Sequence, residues 1–275
     1  MRKPVLLFDL GNTLVEYFRP GGFTPVLRKS IRLAGNALGA AGHPVPPGAE
    51  VERRVAEEDH TARNYRVRPL HRRLARIFGL RGGADSDVML AMSRAFMEPI
   101  FATARRYDDT LAALSSWRRR GYRIGILSNA PWGTPPWAWH EELARHGLAE
   151  RCDLALFCGD VGWRKPARPL FRAALSHFAC RPEHCVFIGD DPRWDVRGAR
   201  RAGITPLLID RTGAGAHGEQ PVLRSLADLE PVLQRWDGVG GRETGAGTAG
   251  GTGATGGGGR GTGTGAAGAA GAGGA

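Results

Sequence analysis

The sequence predicts an α/β fold, a doubly wound parallel sheet of five strands with four helices inserted as a cap, and three observations carry this reading. Val5-Leu6-Leu7-Phe8 runs into Asp9, and Val186-Phe187-Ile188-Gly189 runs into Asp190. Wholly apolar runs of this length fit strands buried on both faces of a parallel sheet. From Asp108 onward strand and helix patterns alternate, which requires helical crossovers between parallel strands. Between these regions, after Leu14, the pattern for about ninety residues is helical alone.

Each element has its own signal. In the inserted region Thr24-Pro25 reads as a helix start, followed by Leu27, Ile31 and Leu38 on one face. A second helix carries Val51, Val55 and Ala62, and a third Leu70, Leu74 and Ile77. A fourth starts at Asp85 to Asp87 and carries Met89, Met92, Phe96 and Ile100. Four such helices form a small bundle. Beyond it, helices are expected at 108–120, 139–146, 169–177, 194–202 and 225–236, and strands at 122–127, 154–157, 185–188 and 206–209. The layout is a Rossmann-like core over 1–18 and 107–237, with a helical cap over 19–106. Residues 238–275, almost wholly Gly, Ala and Thr, lack large side chains to offset the entropy of ordering and read as a disordered tail.

The formal net charge of +11 invites nucleic acid as a partner, but 35 of the 38 basic residues are Arg, a bias in coding more than a binding surface. Nucleic acid is therefore set aside. Sixteen basic and eight acidic residues fall between Arg19 and Arg106, so the cap carries most of the excess and would draw anions toward the core, or is simply a solvated face. Cys152, Cys158, Cys180 and Cys185 form no CxxC pair and read as small buried hydrophobes in a reducing compartment. The first strand follows Met1 too closely for a signal peptide, and no run approaches the roughly 18 apolar residues of a membrane span. A cytoplasmic protein without membrane contact is expected.

The strand ends gather the chemistry. Asp9 and Asp190 arrive at one sheet edge, where open α/β sheets bind ligands. Ser128 follows the strand at 122–127, Lys165 precedes Pro166, and Asp195 lies five residues past Asp190. Carboxylates, a hydroxyl and an ammonium together describe a site for magnesium and an anion. Ordinary roles compete: N-capping for Asp190 and Asp195, a turn for Ser128-Asn129, a surface position for Lys165. In a chain so strongly biased to Arg, a retained lysine suggests a need for a compact point charge.

Phe8-Asp9-Leu10-Gly11-Asn12-Thr13-Leu14, Leu127-Ser128-Asn129, Lys165-Pro166 and Gly189-Asp190-Asp191-Pro192-Arg193-Trp194-Asp195 resemble, in order, the four motifs of the haloacid dehalogenase superfamily, and most closely its branch with a helical cap after the first motif. The resemblance implies a magnesium-dependent hydrolase of small phosphomonoesters, acting on a small phosphorylated metabolite. Asp9 would be the nucleophile, forming an aspartyl-phosphate. Magnesium would be held by Asp9, the Gly11 carbonyl, Asp190 and Asp195. Ser128, with Asn129 and the backbone N–H groups of Asn129 and Ala130, would hold phosphoryl oxygens, and Lys165 would face them and Asp9.

One position departs from the pattern. Phosphatases of the superfamily usually place a second Asp two residues after the nucleophile, as the acid that protonates the leaving group; here stands Gly11. Glu16 is a candidate replacement near the substrate, or a hinge residue. The departure keeps open a member that binds phosphorylated ligands without turnover. A 2-haloacid dehalogenase is disfavoured by the paired acids Asp190 and Asp195. A phosphonate hydrolase would need a cap lysine, of which Lys29 is the only one, and a mutase would need the acid that Gly11 replaces. The stretch Trp132 to His140, with three tryptophans, reads as an aromatic wall for the substrate or as a plug under the cap.

Overall fold

The computed structural model describes residues 3–18, 22–58, 63–80, 85–213 and 222–239. From residue 240 the expected tail lies outside the described residues, as does Ala62.

Strand β1 (Val5–Phe8) is followed by a short strand β2 (Val15–Glu16) that leads into the cap helices α1 (Phe23–Ala40), α2 (Gly48–Glu58), α3 (Leu70–Phe78) and α4 (Ser86–Ala102). The chain returns through β3 (Arg105–Arg106) and continues with α5 (Thr110–Arg119), β4 (Arg123–Ser128), α6 (Pro136–Arg145), β5 (Leu154–Phe157) and α7 (Cys158–Val161). Then come α8 (Arg168–Phe178), β6 (Cys185–Gly189), α9 (Arg197–Arg201), β7 (Thr205–Ile209), β8 (Val222–Leu223) and α10 (Leu229–Val239).

Among the described residues the main sheet is parallel and has six strands rather than five, in the order β5-β4-β1-β6-β7-β8. The sixth, β8, has two residues, too few for any periodicity to show in a sequence. β1 is central, between β4 and β6, which brings Asp9, Ser128 and Asp190 to neighbouring strand ends. Its four residues are completely buried because both faces are covered. Leu6 and Phe8 enter one hydrophobic cluster, Val5 and Leu7 the other, as the two-residue period of a strand dictates.

The first cluster runs without a break from the sheet into the cap, through Leu27, Ile31, Ala34 and Leu38 of α1 and Met92, Phe96, Met97 and Ile100 of α4. α1 begins at Phe23, one residue before the Thr24-Pro25 signal. α4 starts where its acids indicate, with the Asp85 carboxylate accepting from the Asp87 N–H at 3.2 Å. α2 departs from a simple bundle: none of its residues is fully buried, and only Val51 and Val55 rest against the core.

The two connections between core and cap pair as an antiparallel ribbon, Val15 opposite Arg106 and Glu16 opposite Arg105. The ribbon is anchored to the core by Thr110 Oγ1 and the Tyr107 N–H, which both donate to Leu14 O, at 2.9 and 3.2 Å. A second junction joins segment 65–67 to segment 162–164: Val67 N–H donates to Gly162 O (3.0 Å) and Arg164 N–H to Tyr65 O (2.8 Å). Beside it, Gly133 has φ +68° and lies so close to Arg68 O that any Cβ would collide with it.

The tryptophan segment belongs to this interface. Trp132 stacks on Phe96 of the cap at 5.9 Å, while the buried Trp139 donates from Nε1 to Thr134 Oγ1 at 2.9 Å and stacks on Phe157. Trp137 lies under the Arg94 guanidinium, 4.7 Å from ring centroid to Cζ. The plug reading therefore describes the segment, with Trp139 alone of the three tryptophans also reaching the cavity described next.

Candidate active site

Lys165 is the centre of the arrangement. Its ammonium, 1% exposed, donates to Asp9 Oδ1 at 2.7 Å and Leu127 O at 3.0 Å, and contacts Asp195 Oδ1 at 2.6 Å. The residue is delivered by a loop after α7, through a cis peptide to Pro166, and Asn129 holds its backbone. Burial opposes its charge, but the Asp195 and Asp9 carboxylates outweigh burial and raise its pKa above the ordinary lysine value.

The carboxylates respond in the opposite direction. Burial, against the pull of Lys165, pushes Asp195 up to about 7. Burial and then the Asp195 and Asp9 carboxylates hold Asp190 well above the usual range. Asp9 and Asp195 thus share one ammonium, with Asp190 beside them in the same cluster.

Asp190 and Asp195 are not helix caps. That role falls to Asp191, whose carboxylate accepts from the N–H groups of Arg193 (2.7 Å) and Trp194 (2.9 Å) at the head of a π-helical turn, Pro192–Val196. An Asp followed by Pro at the first helical position is a sequence signal for this cap. Asp195 folds back from the turn, its Oδ2 accepting from the Asp191 N–H at 3.1 Å. Gly189 makes room for it, because any Cβ there would collide with the Asp195 carboxylate.

A cavity of about 220 Å³ opens over these groups. Asp9, Gly11, Ser128, Asn129, Lys165, Asp190 and Asp195 all line it, so seven of the eight site residues expected from the sequence converge on one space. Glu16 does not line it; it lies in the ribbon opposite Arg105. The Asn129 side chain is turned to Lys165 rather than to the cavity's contents: Oδ1 accepts from Lys165 N–H and Nδ2 donates to Lys165 O. The Ala130 N–H, expected to face an anion, donates instead to Cys158 Sγ at 3.2 Å.

Residues given no site role in the sequence complete the walls, Tyr17, Phe18 and Phe23 at the cap entrance and Arg164, together with Trp194 of the fourth motif and Trp139 of the tryptophan segment. Arg164 was hidden by the abundance of arginine, although it adjoins Lys165. Tyr17, Phe18 and Phe23 had no spacing to single them out.

The donor set suits a divalent cation. Asp9, Asp190 and Asp195 each offer an oxygen, all within 4.8 Å of one another. All are oxygen ligands, as magnesium requires, and a cation would offset what raises the pKa of Asp190, first its burial and then the neighbouring carboxylates.

Fold and site together define an α/β protein with an acid-lined sheet edge under a helical cap. The chain belongs to the haloacid dehalogenase-like hydrolases, whose family model matches residues 4–203, and is accordingly an enzyme. It is 39% identical over 132 residues to a phosphoserine phosphatase of Thermus thermophilus, covering 47% of this chain and 50% of that enzyme; the match thus spans half of that relative's length. It is 27% identical over 208 residues to a glyceraldehyde 3-phosphate phosphatase of Methanothermobacter thermautotrophicus, covering 74% and 84%. The crystal structure of a 2-haloacid dehalogenase from Pseudomonas syringae superposes with a TM-score of 0.60 at 21% identity, covering 86% of this chain and all of that one. The fold is thus shared by phosphatases and dehalogenases, and only the site separates them.

Proposed function

We propose that the chain hydrolyses small phosphate monoesters with magnesium, through an aspartyl-phosphate on Asp9. The observation that carries this is the Lys165 ammonium set between Asp9 and Asp195 at 2.7 and 2.6 Å, with Asp190 beside them in one cavity. A dianionic ester repels a carboxylate nucleophile, so positive charge must already be in place. Lys165 supplies part of it and holds Asp9 Oδ1, keeping the carboxylate aimed. Magnesium, when bound by Asp9, Asp190, Asp195 and the Gly11 carbonyl, supplies further charge neutralisation. Ser128 donates its hydroxyl to a phosphoryl oxygen, and Asn129 acts by fixing Lys165.

Two named phosphatases among the relatives support phosphoryl over carbon–halogen chemistry, as do the paired acids. Lys29 is exposed on α1 and outside the cavity, which leaves a phosphonate hydrolase without its amine. The cavity volume favours a compact metabolite, and the four free thiols suit a cytoplasmic setting. Among the described residues no helix is long and apolar enough to cross a membrane. Gly11 favours a second reading, a protein that binds such esters without turnover.

The test is para-nitrophenyl phosphate hydrolysis with magnesium, by the wild type and by Asp9→Asn and Asp190→Asn. Turnover that either substitution abolishes supports the hydrolase. Binding without turnover over a broad panel of phosphate esters supports the second reading.

A further inference from the structure

The four cysteines divide into two singles and a pair. Cys158 Sγ accepts from the Ala130 N–H at 3.2 Å, and Cys152 Sγ donates to Ala149 O at 3.7 Å, so each is engaged by nearby backbone. Cys180 and Cys185 meet one another instead, with their sulfurs 3.1 Å apart. A disulfide needs about 2.05 Å, so closing the bond requires the sulfurs to approach by about 1 Å.

The backbone already holds the two residues together. α8 ends at Phe178, Ala179 turns in the left-handed region at φ 45°, and the Cys180 N–H donates to Leu175 O at 3.2 Å. A 3-10 turn over Pro182–His184 brings the chain back, and Cys185 opens β6. Both side chains pack in the hydrophobic cluster that holds Phe178 and Phe187. Their access differs: Cys185 is completely buried, whereas Cys180 is partly exposed.

We propose that Cys180 and Cys185 are a redox-active dithiol, which hydrogen peroxide oxidises to an intramolecular disulfide fastening the end of α8 to the start of β6. Cys180, the accessible sulfur, attacks a peroxide oxygen; the O–O bond breaks, water leaves, and Cys180 becomes a sulfenic acid. The Cys185 sulfur then displaces the hydroxyl from Cys180, its own proton leaving with that oxygen as a second water. Two thiols are oxidised, and one peroxide is reduced to two waters. Burial, and then the Cys180 thiol, hold the Cys185 pKa above its ordinary value, which keeps Cys185 the protonated partner rather than the site of first attack. The bond lies at the end of β6 opposite Asp190, and neither cysteine lines the active cavity. It therefore stabilises the core and leaves the catalytic edge open.

The test treats the full chain with hydrogen peroxide and reads the intact mass, the melting temperature and, after alkylation in denaturant, the peptide map. The monomer loses the mass of two hydrogens, carries a Cys180–Cys185 link that dithiothreitol reverses, and keeps Cys152 and Cys158 as alkylated thiols. Its melting temperature rises by roughly 4–8 °C, the effect of closing a short loop in a chain of this size. Cys180→Ser gains neither the link nor the rise. A Cys180 carried to the sulfinic acid while Cys185 remains an alkylatable thiol overturns the pairing, as does a treated wild type in which both stay free thiols. A link that forms without raising the melting temperature overturns the fastening of α8 to β6.

Discussion

Asn129 grips Lys165 from across the sheet edge, accepting from its N–H at 2.8 Å and donating to its carbonyl at 3.3 Å, although 36 positions separate them in the chain. The lysine reaches Asp9 from a loop, and this clamp sets where that loop begins. Asn129→Ala removes both bonds and leaves two backbone groups to find other partners. We expect a loss of about 1–2 kcal/mol of stability, read from chemical denaturation, and a fall in kcat greater than the rise in KM.

Lys165 is more sensitive still. Lys165→Gln removes the ammonium from between two buried carboxylates, and breaking a buried pair from one side costs roughly 3–5 kcal/mol. Lys165→Arg keeps the charge but not the compact shape, in a pocket where the ammonium is 1% exposed. Both variants should lose activity and melt earlier than wild type, the arginine variant by the smaller margin. A melting temperature unchanged in Lys165→Gln would contradict the buried pair.

At the fourth motif, Gly189→Ala should displace the Asp195 carboxylate, with which the new Cβ collides. The sheet on either side is intact, so circular dichroism should remain native. Calorimetric titration with magnesium should show affinity lowered about 10-fold or more, the usual effect of disturbing ligand orientation.

The acids make metal-free stability depend on pH in a defined direction. Asp195 titrates at about 7 in the folded protein against an ordinary 3.8, and burial is the first cause. A carboxyl whose pKa is raised by folding binds more protons folded than unfolded between those values, so stability falls as pH rises through that window. The shift of Asp190 has the same sign. The melting temperature in a chelator should therefore fall between about pH 4 and pH 7, and saturating magnesium should flatten the decline.

Gly11 accepts a side chain. Its φ is not in the left-handed region, and a Cβ meets only Tyr17 at ordinary contact distance. Gly11→Asp should restore a proton donor and raise kcat/KM for alkyl esters about 10-fold or more, with a smaller gain for nitrophenyl phosphate.

The chain's order of residues was enough to indicate the parallel sheet, the helical insertion and the acids at two strand ends, because these depend on short-range periodicity and on what ends each apolar run. It could not show the two-residue β8, which has no period, or that Asp191, rather than Asp190 or Asp195, caps the turn, which only geometry shows. Tertiary structure alone moved Glu16 into the ribbon, committed Asn129 to Lys165 and brought Tyr17 beside Gly11. Those outcomes arise where segments distant in sequence meet: local pattern determines which face of an element is buried, whereas the partner met there is set by how the cap packs on the sheet.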